Sequence, residues 1–109
     1  MVINEEQLQA GIVKFIDNVL APKADSFTKF KIYFFVPSLP KYLQAKINDI
    51  RNVDFGKDIF TEDGGINLDV AYNRAIKAIE RSGSILLPKL NYFVDKADID
   101  ALYTILKAE

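Results

Sequence analysis

The sequence predicts a small, mainly helical α+β domain with three or four helices and one short β-hairpin near its carboxyl end. Apolar residues recur at helical spacing in several segments, and Pro or Gly stands at the ends of those segments. Two short apolar runs, Ile85–Leu87 and Tyr92–Val94, flank a turn-like segment at 88–91. A length of 109 residues indicates one domain, spanning 1–109.

Composition excludes several classes of protein. Half of the residues are hydrophobic, which argues against disorder, and the net charge of −1 gives no global attraction to nucleic acid or anionic membranes. The chain has no Cys and no His, so we expect no disulfide, thiol nucleophile or imidazole catalysis, and no metal or cofactor. Its start lacks the features of a signal peptide, and no apolar run is long enough to span a membrane. We therefore expect a soluble, cytoplasmic protein that does not bind membranes.

The first helix is predicted over residues 5–20. Asn4 is placed to cap it, and Gln7 stands where it can reach back to the cap. Gly11 lies inside this helix at a cost in helix propensity, which indicates that another element packs closely there. Pro22 is expected to end the helix.

The stretch 24–36 is ambiguous. Its aromatic and β-branched residues favour a strand, yet Phe27, Phe30 and Phe34 also fall at helical spacing. A helix is favoured because the neighbouring segments on both sides have helical patterns. Pro37 and Pro40 are expected to break the chain and restart it as a separate helix over 39–51. The segment 52–65 shows no sustained period and is predicted to be a loop, attached to the core by its apolar residues, which are Val53, Phe55, Ile59 and Phe60.

The carboxyl-terminal part, 61–106, has the clearest boundaries. Asn67 caps a predicted helix over 68–81, and Gly83 supplies its left-handed stop. The predicted hairpin follows, with Pro88 at its turn or on an outer edge. Asp95 then caps the last helix, and Asp98 lies in its first turn, where the helix dipole favours a negative charge.

Acidic residues are numerous but do not form a recognisable site. Asp63-Gly64-Gly65 superficially resembles a calcium loop, but setting either glycine at the sixth loop position leaves both essential carboxylates missing. Carboxylates are paired at Asp58 with Glu62 or Asp63, and at Asp98 with Asp100. These pairs stand in polar loop or helix-start contexts, where capping and solvation account for them better than catalysis. Ser82 and Ser84 lack a histidine partner, so we expect no enzyme.

Basic residues offer a nucleic-acid hypothesis. Arg74, Lys77 and Arg81 share one outer face of the 68–81 helix, and Lys89 falls at the predicted hairpin turn. Asp69 and Glu80 dilute this charge. Nucleic-acid binding is therefore the alternative function, and a solvated face is the favoured interpretation.

Aromatic residues between 27 and 42 exceed what one helix face can bury. They are Phe27, Phe30, Tyr33, Phe34, Phe35 and Tyr42. Most are expected in the core, and the surplus predicts a protein–protein surface, because aromatic anchors dominate interface energetics. We assign that surface to Tyr33, Phe35 and Tyr42, with an identical chain as the simplest partner.

Parts of the chain resemble small uncharacterised proteins of phages and prophages of Gram-positive bacteria. The resemblance is carried mainly by 61–106, through GGINLDVAYNRAIKAIERSGSILLPKL, in which an acidic, glycine-containing turn opens a helix, and YFVDKADIDALYTIL, with its DIDxLY-type capped helix. The run GIVKFIDNVLAPK is similar to the opening of the same proteins. The aromatics and prolines between Phe30 and Pro40 depart from the pattern. The resemblance implies a phage-encoded accessory or morphogenesis protein, in the host cytoplasm or in the virion, and transfers no active site.

The expected function is therefore a non-enzymatic structural or protein-interaction role.

Overall fold

The protein, represented by a computed structural model that describes residues 1–52, 56, 58–87 and 92–109, is mostly helical with two small antiparallel strand pairs. In chain order the elements are β1 (Val2–Ile3), α1 (Glu5–Phe15), a π-helical segment (Ile16–Leu20), a 3-10 turn (Ala21–Lys23), α2 (Ser26–Arg51), β2 (Ile66–Asn67), α3 (Leu68–Ser82), β3 (Ile85–Leu87), β4 (Tyr92–Val94) and α4 (Lys96–Lys107). The predicted turn at 88–91, with Pro88 and Lys89, lies outside the described residues, as do Val53 and Phe55.

Helix α1 begins as predicted but changes form before its predicted end. The Gln7 backbone N–H donates to Asn4 Oδ1 at 2.7 Å, and the Asn4 N–H donates to Gln7 Oε1 at 2.9 Å. The α-helix predicted over 5–20 ends at Phe15, and Ile16–Leu20 is π-helical instead. Pro22 is accommodated in the 3-10 turn, where its missing N–H is not needed for an α-helical bond.

Gly11 allows the close approach that its position in a helix predicted. A Cβ added to Gly11 would lie 2.2 Å from Leu106 Cδ2, and Leu106 is itself buried. Helices α1 and α4 therefore pack together at a point where only hydrogen fits.

The prediction of two helices separated by a break is wrong, because α2 is one continuous helix. It runs without interruption from Ser26 to Arg51, with Pro37 and Pro40 inside it. Both prolines are exposed, so the carbonyls that lose a helical partner are on the solvent side, where water can satisfy them. Ser38 Oγ donates to the carbonyl of Phe35 at 2.8 Å, which is not one of the carbonyls that the prolines leave without a helical partner. Asp25 caps the start of the helix, because its side chain accepts from the Thr28 N–H at 2.7 Å.

Two antiparallel strand pairs are present among the described residues, whereas the sequence predicted one. Strands β3 and β4 have the predicted bounds and pair Ile85 with Val94. The pair that was missed joins the amino terminus to the segment before α3, with Ile3 opposite Ile66. Phe60, within the segment predicted as loop, forms a β-bridge with the same Ile66.

The caps of α3 and α4 are confirmed. Asn67 accepts from the Val70 N–H at 3.4 Å, and Gly83 ends α3 with a φ of 82°. Asp95 and Asp98 form a reciprocal capping box at the start of α4.

The core consists of two apolar clusters. One joins the β1–β2 pair to the helices and contains Ile3, Ile59, Ile66, Leu68 and Leu106. The other joins α1, the π-helical segment and α2 through Phe15, Ile16, Leu20 and Ile32. Only one face of α2 contributes to these clusters, and the opposite face is left to solvent.

Candidate functional site

The outer face of the first half of α2 carries four large aromatic side chains in solvent. Their exposed fractions are 66% for Phe27, 61% for Phe30, 75% for Tyr33 and 61% for Phe34. We call these four residues the aromatic face. At 3.6 residues per turn, positions 27, 30 and 34 form one stripe on the side of the helix opposite buried Ile32.

The rings of the aromatic face contact one another. The centroids of Phe30 and Phe34 lie 4.9 Å apart in an edge-to-face arrangement, and those of Tyr33 and Phe34 lie 5.6 Å apart. Lys31 Nζ stands 4.5 Å from the centroid of the Phe27 ring. These distances are in the favourable range for aromatic and cation–π pairs. Phe30, Tyr33 and Phe34 therefore form one contiguous cluster of rings, and Phe27 extends the same stripe of the helix beneath Lys31.

Beyond its cap, Asp25, the amino-terminal and central part of α2 carries only positive charges. Between Asp25 and Asp49 the sequence contains Lys29, Lys31, Lys41 and Lys46 and no acidic residue. This stretch of α2 is therefore positive in a protein whose net charge is −1.

The three residues predicted to form an interaction surface are divided between two environments. Tyr33 belongs to the aromatic face, whereas Phe35 and Tyr42 are half-buried and pair with each other at 5.3 Å, on the wall of an apolar cavity that is partly open to solvent. Phe27, Phe30 and Phe34 were not singled out from sequence. Their helical spacing was visible, but an apolar stripe is ordinarily assigned to the core.

A second unusual group surrounds Asp98, whose side chain is 1% exposed. Its carboxylate accepts from the Tyr92 hydroxyl at 2.8 Å, the Asp95 N–H at 3.2 Å and Lys23 Nζ at 3.4 Å. A buried carboxylate requires such donors, since an unpaired charge would be very costly. Asp98 thus ties β4, α4 and the 3-10 turn together, and its acceptor sites are used structurally.

Tyr92 shows the effect of this environment. Burial, together with the hydrogen bond to the Asp98 carboxylate, raises the pKa of Tyr92 from 10.0 to about 12. The phenol therefore remains a donor through the physiological range.

The acidic turn before α3 is organised by its own side chains. Thr61 Oγ1 donates to Asp63, and the Gly65 N–H donates to Thr61 Oγ1 at 2.8 Å. The hydrogen bond from Thr61 holds the pKa of Asp63 below its usual value. Within the described residues, no group of three or more acidic side chains is placed to hold a metal ion.

The remaining candidate catalytic groups also have structural partners. Asp100 accepts from the Tyr72 hydroxyl at 2.5 Å and is not joined to Asp98. The single hydroxyl proton of Ser82 is shared between the carbonyl of Ala78, at 2.8 Å from Oγ, and that of Ser84, at 2.9 Å. The hydrogen bonds of Ser82 therefore stabilise the end of α3, and that of Asp100 joins α3 to α4.

The basic residues on which the nucleic-acid hypothesis depends differ in exposure and in their partners. Arg74 is half-buried and its Nη2 donates to Asp58 at 3.2 Å, while Lys77 and Arg81 are exposed. Lys89 lies outside the described residues. Nucleic-acid binding stays a prediction, and the ion pair of Arg74 weakens the phosphate-binding face on which it depends.

Among the helices of the described residues, none has the length and apolarity needed to cross a membrane. Neither a family model, nor a curated protein, nor a solved structure matches the chain.

Proposed function

We propose that the protein is a non-enzymatic interaction protein that binds a protein partner through the aromatic face of α2. The observation that carries the proposal is the exposure of Phe27, Phe30, Tyr33 and Phe34 on one side of a capped helix. Exposed aromatic side chains are hydrated at a cost in free energy, and aromatic residues supply much of the binding energy at interfaces.

The size of the aromatic face supports a specific contact. A fully covered aromatic side chain contributes 150–250 Å², so the four exposed fractions correspond to roughly 500 Å². That area is at the upper end of what monomeric proteins ordinarily leave exposed as one apolar patch. It is also more than half of the roughly 800 Å² that each partner contributes to an interface of standard size.

A second copy of the chain is the simplest partner. Phe27, Phe30 and Phe34 follow the i, i+3, i+7 spacing by which one helix packs against another. In a two-fold contact the same stripe meets itself, so the rings of one copy would cover those of the other. Together with the resemblance to small phage proteins, self-association supports an accessory or morphogenesis role.

Sedimentation equilibrium across a wide range of protein concentration tests this proposal. We expect the wild type to form a dimer, and we expect the double variant Phe30→Ser/Phe34→Ser to be monomeric with an unchanged circular dichroism spectrum. The matched control is Phe93→Ser, because Phe93 is also 61% exposed but lies on β4. This control should dimerise like the wild type.

Salt adds a second criterion. Association through apolar rings should persist or strengthen as salt is raised, whereas a contact made by the α2 lysines should weaken. A wild type that stays monomeric at every concentration would contradict self-association, as would a dimer that the Phe30/Phe34 double variant leaves intact.

A further inference from the structure

The inner side of α2 borders an apolar cavity of about 260 Å³. The cavity lies between α1 with its π-helical continuation, α2, the β3–β4 pair and α4. The described residues that line it are Ile12, Phe15, Ile16, Leu20, Phe35, Leu39, Tyr42, Leu43, Ile85, Val94, Asp98, Ile99 and Leu102. All are apolar or aromatic except Asp98.

Asp98 does not make the cavity a polar site. Its oxygens accept from Tyr92, Asp95 and Lys23, and only 1% of its surface is exposed. The cavity therefore offers dispersion contacts and almost no hydrogen-bonding capacity. Water needs two to four polar partners to be held in such a space, so an apolar guest can displace it from this partly open cavity at little cost.

An empty space of this size is costly to a small domain. The lining groups lose dispersion contacts in proportion to the unfilled volume, and the net stability from which this loss is taken is small. A cavity of this composition is hence well suited to an apolar guest, which restores those contacts without desolvating a polar group.

Two walls of the cavity have irregular helical structure. Ile16 and Leu20 belong to the π-helical segment, a rare form that is frequently found at functional sites. On the α2 wall, Pro37 and Pro40 lie between the lining residues Phe35 and Leu43, so two helical hydrogen bonds are missing there. The cavity is also partly open to solvent, which gives an apolar molecule a route of entry.

We propose that this cavity is a binding site for a small, neutral, apolar molecule. A cavity of roughly 150 Å³ lined by Leu, Ile and Phe binds benzene, so this volume corresponds to a guest of about ten carbon atoms. The buried Asp98 carboxylate disfavours an anionic group inside the cavity. The site goes beyond the proposed protein interaction and does not rest on it, because it lies on the inner side of α2.

Titration with n-butylbenzene, a neutral hydrocarbon of the expected size, tests the proposal on the full chain. We expect saturable one-to-one binding by calorimetry. In methyl NMR spectra, the signals of Ile12, Leu39 and Ile85 should shift. Those of Leu8, Ile66 and Leu68, which line a separate cavity of about 180 Å³, should not.

Filling the cavity should abolish binding. Leu39→Phe and Ile85→Phe each place a ring in the space and should weaken the affinity by about tenfold or more. Ile85 is a half-buried strand residue, so its variant keeps the test available if Leu39→Phe does not fold. The matched control is Ala75→Leu, which fills the second cavity and should leave the affinity unchanged.

Several results would overturn the proposal. If calorimetry detected no binding heat and NMR no methyl shift at the solubility limit of n-butylbenzene, the proposed site would be ruled out. If Leu39→Phe and Ile85→Phe both bound n-butylbenzene as tightly as the wild type does, the guest would have to lie elsewhere. If decanoate, an anion, bound with the same affinity as n-butylbenzene, the assignment of the cavity to a neutral molecule would be contradicted. None of these results depends on whether the chain dimerises, because the Phe30→Ser/Phe34→Ser variant should bind n-butylbenzene as the wild type does.

Discussion

Helix α2 and the carboxyl-terminal part of the chain, from α3 to α4, use their residues in different ways. In the carboxyl-terminal part, the prominent polar groups have local structural partners: Asn67 caps α3, Gly83 ends it, and Asp95 with Asp98 caps α4. In α2 the apolar residues exceed what the core takes, since Phe30 and Phe34 are 61% exposed while Leu39 is 1% exposed. The polar residues of the carboxyl-terminal part thus specify the fold, whereas the surplus apolar residues on the outer side of α2 are available for binding.

The difference shows where a function can reside. A polar residue whose hydrogen bonds are all used in caps has little capacity left for chemistry. An apolar ring in solvent has an unfavourable contact with water that a partner can relieve. The outer side of α2 and the cavity on its inner side are therefore the stronger candidates, although the carboxyl-terminal part holds more of the charged groups first considered.

The largest loss of stability is expected from a substitution on the inner side of α2. Leu39→Ala should destabilise the protein by about 3 kcal/mol, because it removes buried methyl groups and enlarges a cavity that is already present. Urea denaturation followed by circular dichroism measures this change. A loss below about 1 kcal/mol would show that α2 is not packed as described.

Asp98 provides the second test, in the carboxyl-terminal part. Asp98→Ala leaves the Tyr92 hydroxyl and the Asp95 N–H without their acceptor, so we expect a loss of about 2 kcal/mol in the free energy of unfolding. Glu80→Ala, on the exposed side of α3, is the control and should have little effect. Equal effects of the two substitutions would contradict a structural role for Asp98.

Tyr92 provides the third test, through pH. Its pKa is raised from 10.0 to about 12 in the folded protein, so the unfolded chain loses this proton at lower pH than the folded chain does. The stability that Tyr92 contributes is complete below about pH 10 and is lost as the pH rises towards about 12. Tyr92→Phe should reduce this alkaline loss, as measured by urea midpoints at successive pH values. An unchanged pH dependence in the variant would show that Tyr92 does not carry it.

Much of the carboxyl-terminal part could be predicted from sequence because its signals are local. A cap, a glycine stop and two short strands each depend on neighbouring residues, so the bounds of β3 and β4 and the caps at Asn67 and Asp95 agree with the prediction. The β1–β2 pair could not be found in this way. Ile3 and Ile66 are distant in sequence, and two-residue strands leave almost no pattern.

Helix α2 was harder to predict for two physical reasons. Pro37 and Pro40 indicate a break when considered alone, but on an exposed side of the helix water can replace the lost hydrogen bonds. Apolar residues also occupy both sides of the helix, and periodicity does not tell which stripe faces the core. That is why Phe35 and Tyr42 were assigned to a surface and Phe30 and Phe34 were not.

The smallest loss of stability is expected from a substitution on the outer side of α2, which can be compared directly with the loss expected on its inner side. Phe34→Ala removes as many apolar atoms as a core substitution would, but the ring is 61% exposed and its loss opens no cavity. At a protein concentration where the chain is monomeric, we expect a change within about 0.5 kcal/mol, against the much larger loss for Leu39→Ala. Urea denaturation of the two variants side by side makes the measurement. A large loss for Phe34→Ala would mean that its ring is part of the core, and Phe34 would then have to be removed from the aromatic face.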